Sequence, residues 1–224
     1  MKRILSCVIL CVLVPAVVVG GALLFHGRQY AWISLCVALF SCVPVFLRFE
    51  HSGADAKRMI LISCMTALSV LGRILFAMIP GFKPVTAMVV ITAMYFGSEA
   101  GFLTGALSAV ISNFYFGQGP WTPFQMFSWG IVGFLAGLLA KPLKTNKVAL
   151  LLYAVFSGVL YSFLMDIWTV LWADGYFNVS RYLAALVSAV PFTVVYAVSN
   201  VIFLFLFTPS IGKILERVKR KYAL

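Results

Sequence analysis

Apolar residues fill this chain in long blocks, and the polar residues between them fall in short clusters. About 20 apolar residues suffice for a helix to cross the hydrocarbon of a bilayer. The pattern therefore predicts a stack of membrane helices. The first span is residues 4–25 and the second 30–47; only His26, Gly27, Arg28 and Gln29 separate them, so the two form a hairpin. A charged stretch, residues 48–58, follows. Six more apolar blocks come after it, at 59–79, 85–96, 100–116, 123–140, 148–172 and 181–207. The block at 85–96 is short, since about 12 helical residues rise only about 18 Å. Pro123 suits a helix start. Pro44 and Pro191 lie inside spans, where neighbouring groups can take over the lost backbone bond. Residues 213–221 form a basic, amphipathic tail. The expected architecture is an all-α integral membrane protein of eight transmembrane helices. An N-terminal hairpin and linker (1–58) precede a six-helix core (59–224).

Small residues add a second pattern. Gly97, Gly101, Gly105 and Ala109 recur every four residues, and Gly130, Gly133, Gly137 and Ala140 nearly so. Such stripes let helix backbones approach closely. Ser63 and Ala67, also four apart, suit a docking face for another membrane protein if they look outward.

Composition agrees with the pattern: the chain is 63% hydrophobic and 10% charged. The formal charge of +11 would suit nucleic acid, but its distribution points to membrane topology instead. With the N-terminus inside and eight spans, thirteen Lys and Arg fall in inside segments and three outside, leaving Arg73 within the membrane. That asymmetry is the positive-inside pattern. It places both termini on the cytoplasmic side. A cleaved signal peptide is the competing reading of the first span; the second span that follows at once favours an anchor. The five cysteines all lie in apolar runs and are expected to be small buried hydrophobes.

The same topology gathers the polar residues of the core at the outer face. Arg73 and Asp166 sit at similar depth, and a lone intramembrane charge needs a partner or a wet cavity. They are expected to share one cavity, either as an ion pair or in contact with ligand. Asn113 lies one turn before the end of the 100–116 span, Gln125 is on the first turn of the next, and Gln118 and Trp121 lie in the loop between. Tyr161 and Trp168 line the outer part of the 148–172 span, and Lys83 precedes the short one. An aromatic-rich pocket with few polar groups suits a small neutral or amphiphilic molecule; the tryptophans also suit an interfacial belt.

Several functions are excluded. The two histidines, His26 and His51, lie in loops, so the bundle holds no Ser–His base. No metal-ligand spacing or ATP-binding motif occurs, and no cofactor is expected. A transport role would draw its energy from a partner. A membrane enzyme acting on lipid or isoprenoid, or a structural assembly protein, remains the alternative.

The segments Gly72-Arg73, Phe82-Lys83-Pro84-Val85, GSEAGF at 97–102, Ser112-Asn113, GQGPWTPFQ at 117–125 and GFLAG at 133–137 carry a family likeness. Residues 59–224 resemble the substrate-binding S components of energy-coupling factor (ECF) vitamin transporters, with GQGPWTPFQ the most specific part. The resemblance implies a six-helix fold that is not an enzyme, in the plasma membrane of a bacterial or archaeal cell. It implies capture of a vitamin or related micronutrient at the outer face, and delivery inward with a transmembrane coupling subunit (EcfT-like) and two cytoplasmic ATPases. It implies partner docking through Ser63 and Ala67, with serine in place of a usual alanine, and leaves the hairpin as an addition. The Pro84-Val85-Thr86 and GPWTPFQMFSW segments look closest to the cobalamin subgroup; a queuosine precursor or a pyridoxine-like vitamin is the alternative. Nickel and cobalt are disfavoured, because no N-terminal histidine follows Met1.

Overall fold

The computed structural model describes residues 2–25, 32–33, 35–37, 39–40, 43–44 and 55–222. The first span is one continuous helical rod: α1 (Lys2–Val8), a wider π-helical turn at Ile9–Leu13, and α2 (Val14–Phe25). Half of the second predicted span lies outside the described residues, as do Arg28, Cys42, both histidines and most of the charged stretch. The core follows as α3 (Asp55–Leu75), α4 (Val85–Phe96), α5 (Ser98–Phe116), α6 (Thr122–Leu138), α7 (Ala140–Thr145), α8 (Lys147–Asp174) and α9 (Val179–Tyr222).

Four stretches among the described residues are long and apolar enough to cross a membrane: Ile4–Gly21, Ala56–Leu75, Lys147–Asp174 and Val179–Tyr222. Helices α4, α5 and α6 are shorter or more polar. α4 explains how that is tolerated. Every residue from Val85 to Phe96 except Tyr95 is buried, because α3, α5, α6, α7 and α9 surround it. A helix wrapped in protein need not match the thickness of the bilayer.

α5 and α6 form the most extensive helix pair, and the small-residue stripes are its seam. A Cβ on Gly105 would run into the backbone of Trp129, one on Gly133 into that of Gly101, and one on Gly137 into that of Ser98. Gly97, at φ 95°, makes the turn that folds α5 back along α4, a conformation strained for any side chain. Glu99 lies buried just beyond it. α1 and α2 lean on this pair: Leu10, Val14 and Val18 join Phe102, Ala106 and Met126 in one apolar cluster.

Three expectations change. α3 runs from Asp55 to Leu75 rather than 59–79, and residues 76–84 form a loop that returns over it. The basic tail is no separate element but the last part of α9, a helix of 44 residues that continues through Pro191 and Pro209. Cys7, Cys11, Cys36 and Cys64 are free and exposed rather than buried, because they occupy outward helix faces, which in a bilayer meet lipid.

At one end of the bundle Asn146 caps α8, its Oδ1 accepting from Val148 N at 2.8 Å and Ala149 N at 3.3 Å, as its side chain predicts. At the other end an Arg181–Asp174 ion pair of 2.7 Å closes the α8–α9 turn.

Candidate functional site

Near that second end lies a cavity of about 130 Å³ between α3, α4, α6, α8 and α9. Its polar feature is Arg73, on the last turn of α3 and only 8% exposed. The guanidinium is held by neutral partners. It donates to Ser112 Oγ and to Asn113 Oδ1 at 2.8 Å. It also lies 4.6 Å from the centre of the Phe116 ring and 5.0 Å from that of Trp129. Cation–π contacts of this kind favour a guanidinium over an ammonium. No carboxylate lines the cavity, so the charge is solvated by dipoles and rings and keeps donor capacity for a guest.

From Arg73 a chain of hydrogen bonds crosses the site. Asn113 Nδ2 donates to Thr122 Oγ1 at 2.9 Å and to Gln125 Oε1 at 2.8 Å. Gln125 Nε2 donates to the Tyr161 hydroxyl at 3.4 Å. The pattern fixes the Asn113 amide as acceptor toward α3 and donor toward α6. A fully satisfied buried network holds its members rigidly. Tyr161 stacks on Trp129 at 5.1 Å, with 17° between the rings, and meets Tyr196 edge-on at 5.3 Å. Trp129 and Tyr161 lie nearly parallel and Tyr196 stands across them, so aromatic carbon walls this side of the cavity.

The 76–84 loop covers the site. Ser199 of α9 clamps it, accepting from Lys83 N at 2.9 Å and donating to Lys83 O at 3.2 Å. Gly72 leaves room for the Pro84 ring. The Lys83 ammonium donates to Phe76 O at 3.3 Å and sits 5.3 Å from the Phe116 ring centre. Partial burial, and then the neighbouring Arg73, hold Lys83 below the ordinary lysine range.

Arg73, Lys83, Gln125 and Tyr161 line the cavity. Asn113 stands behind it as the link between them. Gln118 turns away: its Nε2 donates to Val110 O at 2.8 Å, and its Oε1 accepts from Thr122 at 3.0 Å. It thereby closes the α5–α6 loop. Trp121 and Trp168 meet edge-on at 6.0 Å, and Trp168 stacks on Trp172 at 6.4 Å, forming a separate aromatic ladder. Asp166 is not among the lining residues, and no ion pair joins it to Arg73; its buried Oδ2 finds no hydrogen-bond donor. The expected shared cavity fails because equal depth does not fix direction. Arg73 turns toward α5, and Asp166 sits among the tyrosines of α9.

Tyr196 and Asn200 of α9, Trp129 of α6 and Thr86 of α4 also line the cavity, though none stood out in the sequence as a site residue. Their signal was there: Tyr196 and Asn200 are four apart, on one face of a span otherwise almost wholly apolar. Among the described residues no His, Cys, Asp or Glu group is arranged to hold a metal.

Residues 54–217 match the family model for the ECF-type riboflavin transporter, S component. The chain belongs to that family. This S component is thus the substrate-specific membrane subunit of a transporter and not an enzyme. The expected kinship with the cobalamin subgroup is not supported, since the matched family is the riboflavin type. The short Pro84-Val85-Thr86 and GPWTPFQMFSW segments were too little to decide between ligands. No curated protein and no solved structure gives a match.

Proposed function

We propose that this S component captures riboflavin in the Arg73 cavity, from the outer face of the membrane. The observation that carries the reading is the family match over 54–217. The chemistry of the cavity supports it. A flavin offers a flat apolar ring system, and Trp129, Tyr161 and Tyr196 offer flat faces. Its pyrimidine edge carries carbonyl and imide groups, for which Arg73, Gln125 and Asn200 are suitable partners. A cavity of about 130 Å³ is below the usual range of about 300–1,000 Å³ for ligand pockets. Entry therefore requires the 76–84 loop or the α9 wall to move outward. A corrinoid would demand far more displacement.

Delivery inward needs an energy source, which this reading assigns to a transmembrane coupling subunit and two cytoplasmic ATPases. The face for docking is on α3. Ser63 and Ala67 are exposed there, flanked by the exposed Ile60, Leu68 and Leu71. The Lys and Arg asymmetry supports a topology with both termini inside.

Titration of the purified protein in detergent tests the ligand. Flavin fluorescence is quenched on stacking against tryptophan or tyrosine, so riboflavin should lose emission saturably at one equivalent. Riboflavin that stays fully fluorescent in the presence of excess protein, or cobalamin that competes at equal concentration, would overturn the assignment.

A further inference from the structure

A second cavity lies at the opposite end of the bundle. It is a groove of about 420 Å³ between the start of α8 and the C-terminal half of α9, with α7 and the end of α4 as its floor. Nothing in the flavin reading uses it. Its walls are of two kinds. Toward the membrane they are apolar: Leu150, Leu204 and Phe205. Toward the basic end they carry Lys144, Lys147 and Lys213 against one carboxylate, Glu216. Lys219 stands close by, donating to Tyr95 O at 2.9 Å, and the Lys144 ammonium lies 4.1 Å from the Tyr95 ring centre.

Cations so placed repel one another. Partial burial and the neighbouring Lys219 hold Lys144 below the ordinary lysine range, while Glu216 pulls the other way. An anion seated among these ammonium groups would relieve that repulsion. Two further features await a polar guest. Thr208 Oγ1 is buried at the groove without a hydrogen-bond partner. Pro209 has no N–H to give the Phe205 carbonyl, so that acceptor lacks its usual helical donor. An apolar trough continuous with a cluster of lysines at headgroup level has the form of a phospholipid.

We propose that the groove binds one anionic glycerophospholipid. Its phosphate is held by Lys144, Lys147 and Lys213, and an acyl chain lies along Leu150, Leu204 and Phe205. The headgroup reaches Thr208. The lipid fills the groove beside Pro209 and ties α9 to α8 from the bilayer side.

Native mass spectrometry of the full chain, released from nanodiscs of mixed phosphatidylglycerol and phosphatidylcholine, tests the proposal. Wild-type protein should retain one phosphatidylglycerol and no phosphatidylcholine. At about 1 kcal/mol per lysine, each charge removed weakens retention about fivefold. K144Q/K147Q/K213Q should therefore lower it on the order of a hundredfold. Leu151 also lines the groove; L151W fills it with every charge intact and should abolish retention. Millimolar inorganic phosphate should leave the bound lipid in place, because it lacks the acyl contacts. Equal retention of phosphatidylcholine, unchanged retention in both variants, or displacement by phosphate alone would each overturn the proposal. Circular dichroism and monodisperse elution check folding, and L151W decides the case if the triple variant does not fold. These readouts are independent of flavin binding.

Discussion

Helices α4 and α9 frame both cavities, yet they are built on opposite terms. α4 is 12 residues long and buried except at Tyr95. α9 is 44 residues long with six buried residues: Ser199, Asn200, Phe203, Leu204, Gly212 and Leu215. α4 contributes Val85 and Thr86 to the Arg73 cavity and Tyr95 to the basic groove. α9 contributes Tyr196 and Asn200 to the first, and Thr208 and Lys213 to the second. α4 is thus a fixed post, enclosed by five helices, while α9 is a lipid-facing wall. Elements with few buried contacts open at lower free energy than packed ones. A cavity between a post and a wall can be precise on one side and admit its guest on the other.

The largest predicted effect tests the α5–α6 seam that packs around the post. Gly105→Leu puts a side chain into the backbone of Trp129. It should cost about 3 kcal/mol or more, seen as loss of monodisperse protein or a large fall in melting temperature. Val187→Leu, on the exposed part of α9, should stay within about 0.5 kcal/mol. Comparable losses at both positions would erase the contrast between seam and wall.

Next in size is Arg73→Met. It removes the donor that organises Ser112 and Asn113 and should weaken riboflavin binding by about 2 kcal/mol, roughly thirtyfold. Quenching titrations measure it, and an unchanged affinity would remove Arg73 from the ligand contacts.

Tyr196→Ala takes one ring from the α9 wall and should cost about 1 kcal/mol of affinity, with Tyr196→Phe close to wild type. A greater loss than at Arg73 would show that the wall, rather than the post side, holds the ligand.

The smallest effect is a pH dependence. In the folded protein Lys83 titrates below the ordinary lysine value of 10.5, so in the window between the two values the unfolded chain binds more protons. Stability should therefore rise as pH climbs through that window toward 10.5. Lys83→Gln should flatten the slope, measured by thermal unfolding across alkaline buffers; an unaltered slope would mean that the loop holds Lys83 in free solvent.

Much of the fold was legible because its causes are local or periodic. The α4 boundaries, residues 85–96, emerged from the apolar block between Pro84 and Gly97. The α5–α6 seam emerged from glycines four apart. The site was legible where polar residues interrupt apolar runs, as at Arg73, Gln125 and Tyr161. It was not legible on α9, whose cavity face is marked only by Tyr196, Ser199 and Asn200 near the middle of a long apolar run. Nor could sequence depth say that Arg73 and Asp166 look different ways.

The sequence by itself determined that this is a helical membrane protein of the S-component type, which backbones could touch, and which end collects the aromatic and amide groups. Those properties follow from hydropathy, from side-chain size and from spacing along a helix. Only the tertiary structure decided that Arg73 is satisfied by Asn113, Ser112 and two rings rather than by Asp166. The helix rotations that settle this come from packing around α4, and no single helix encodes its own rotation when nearly all of its faces are apolar.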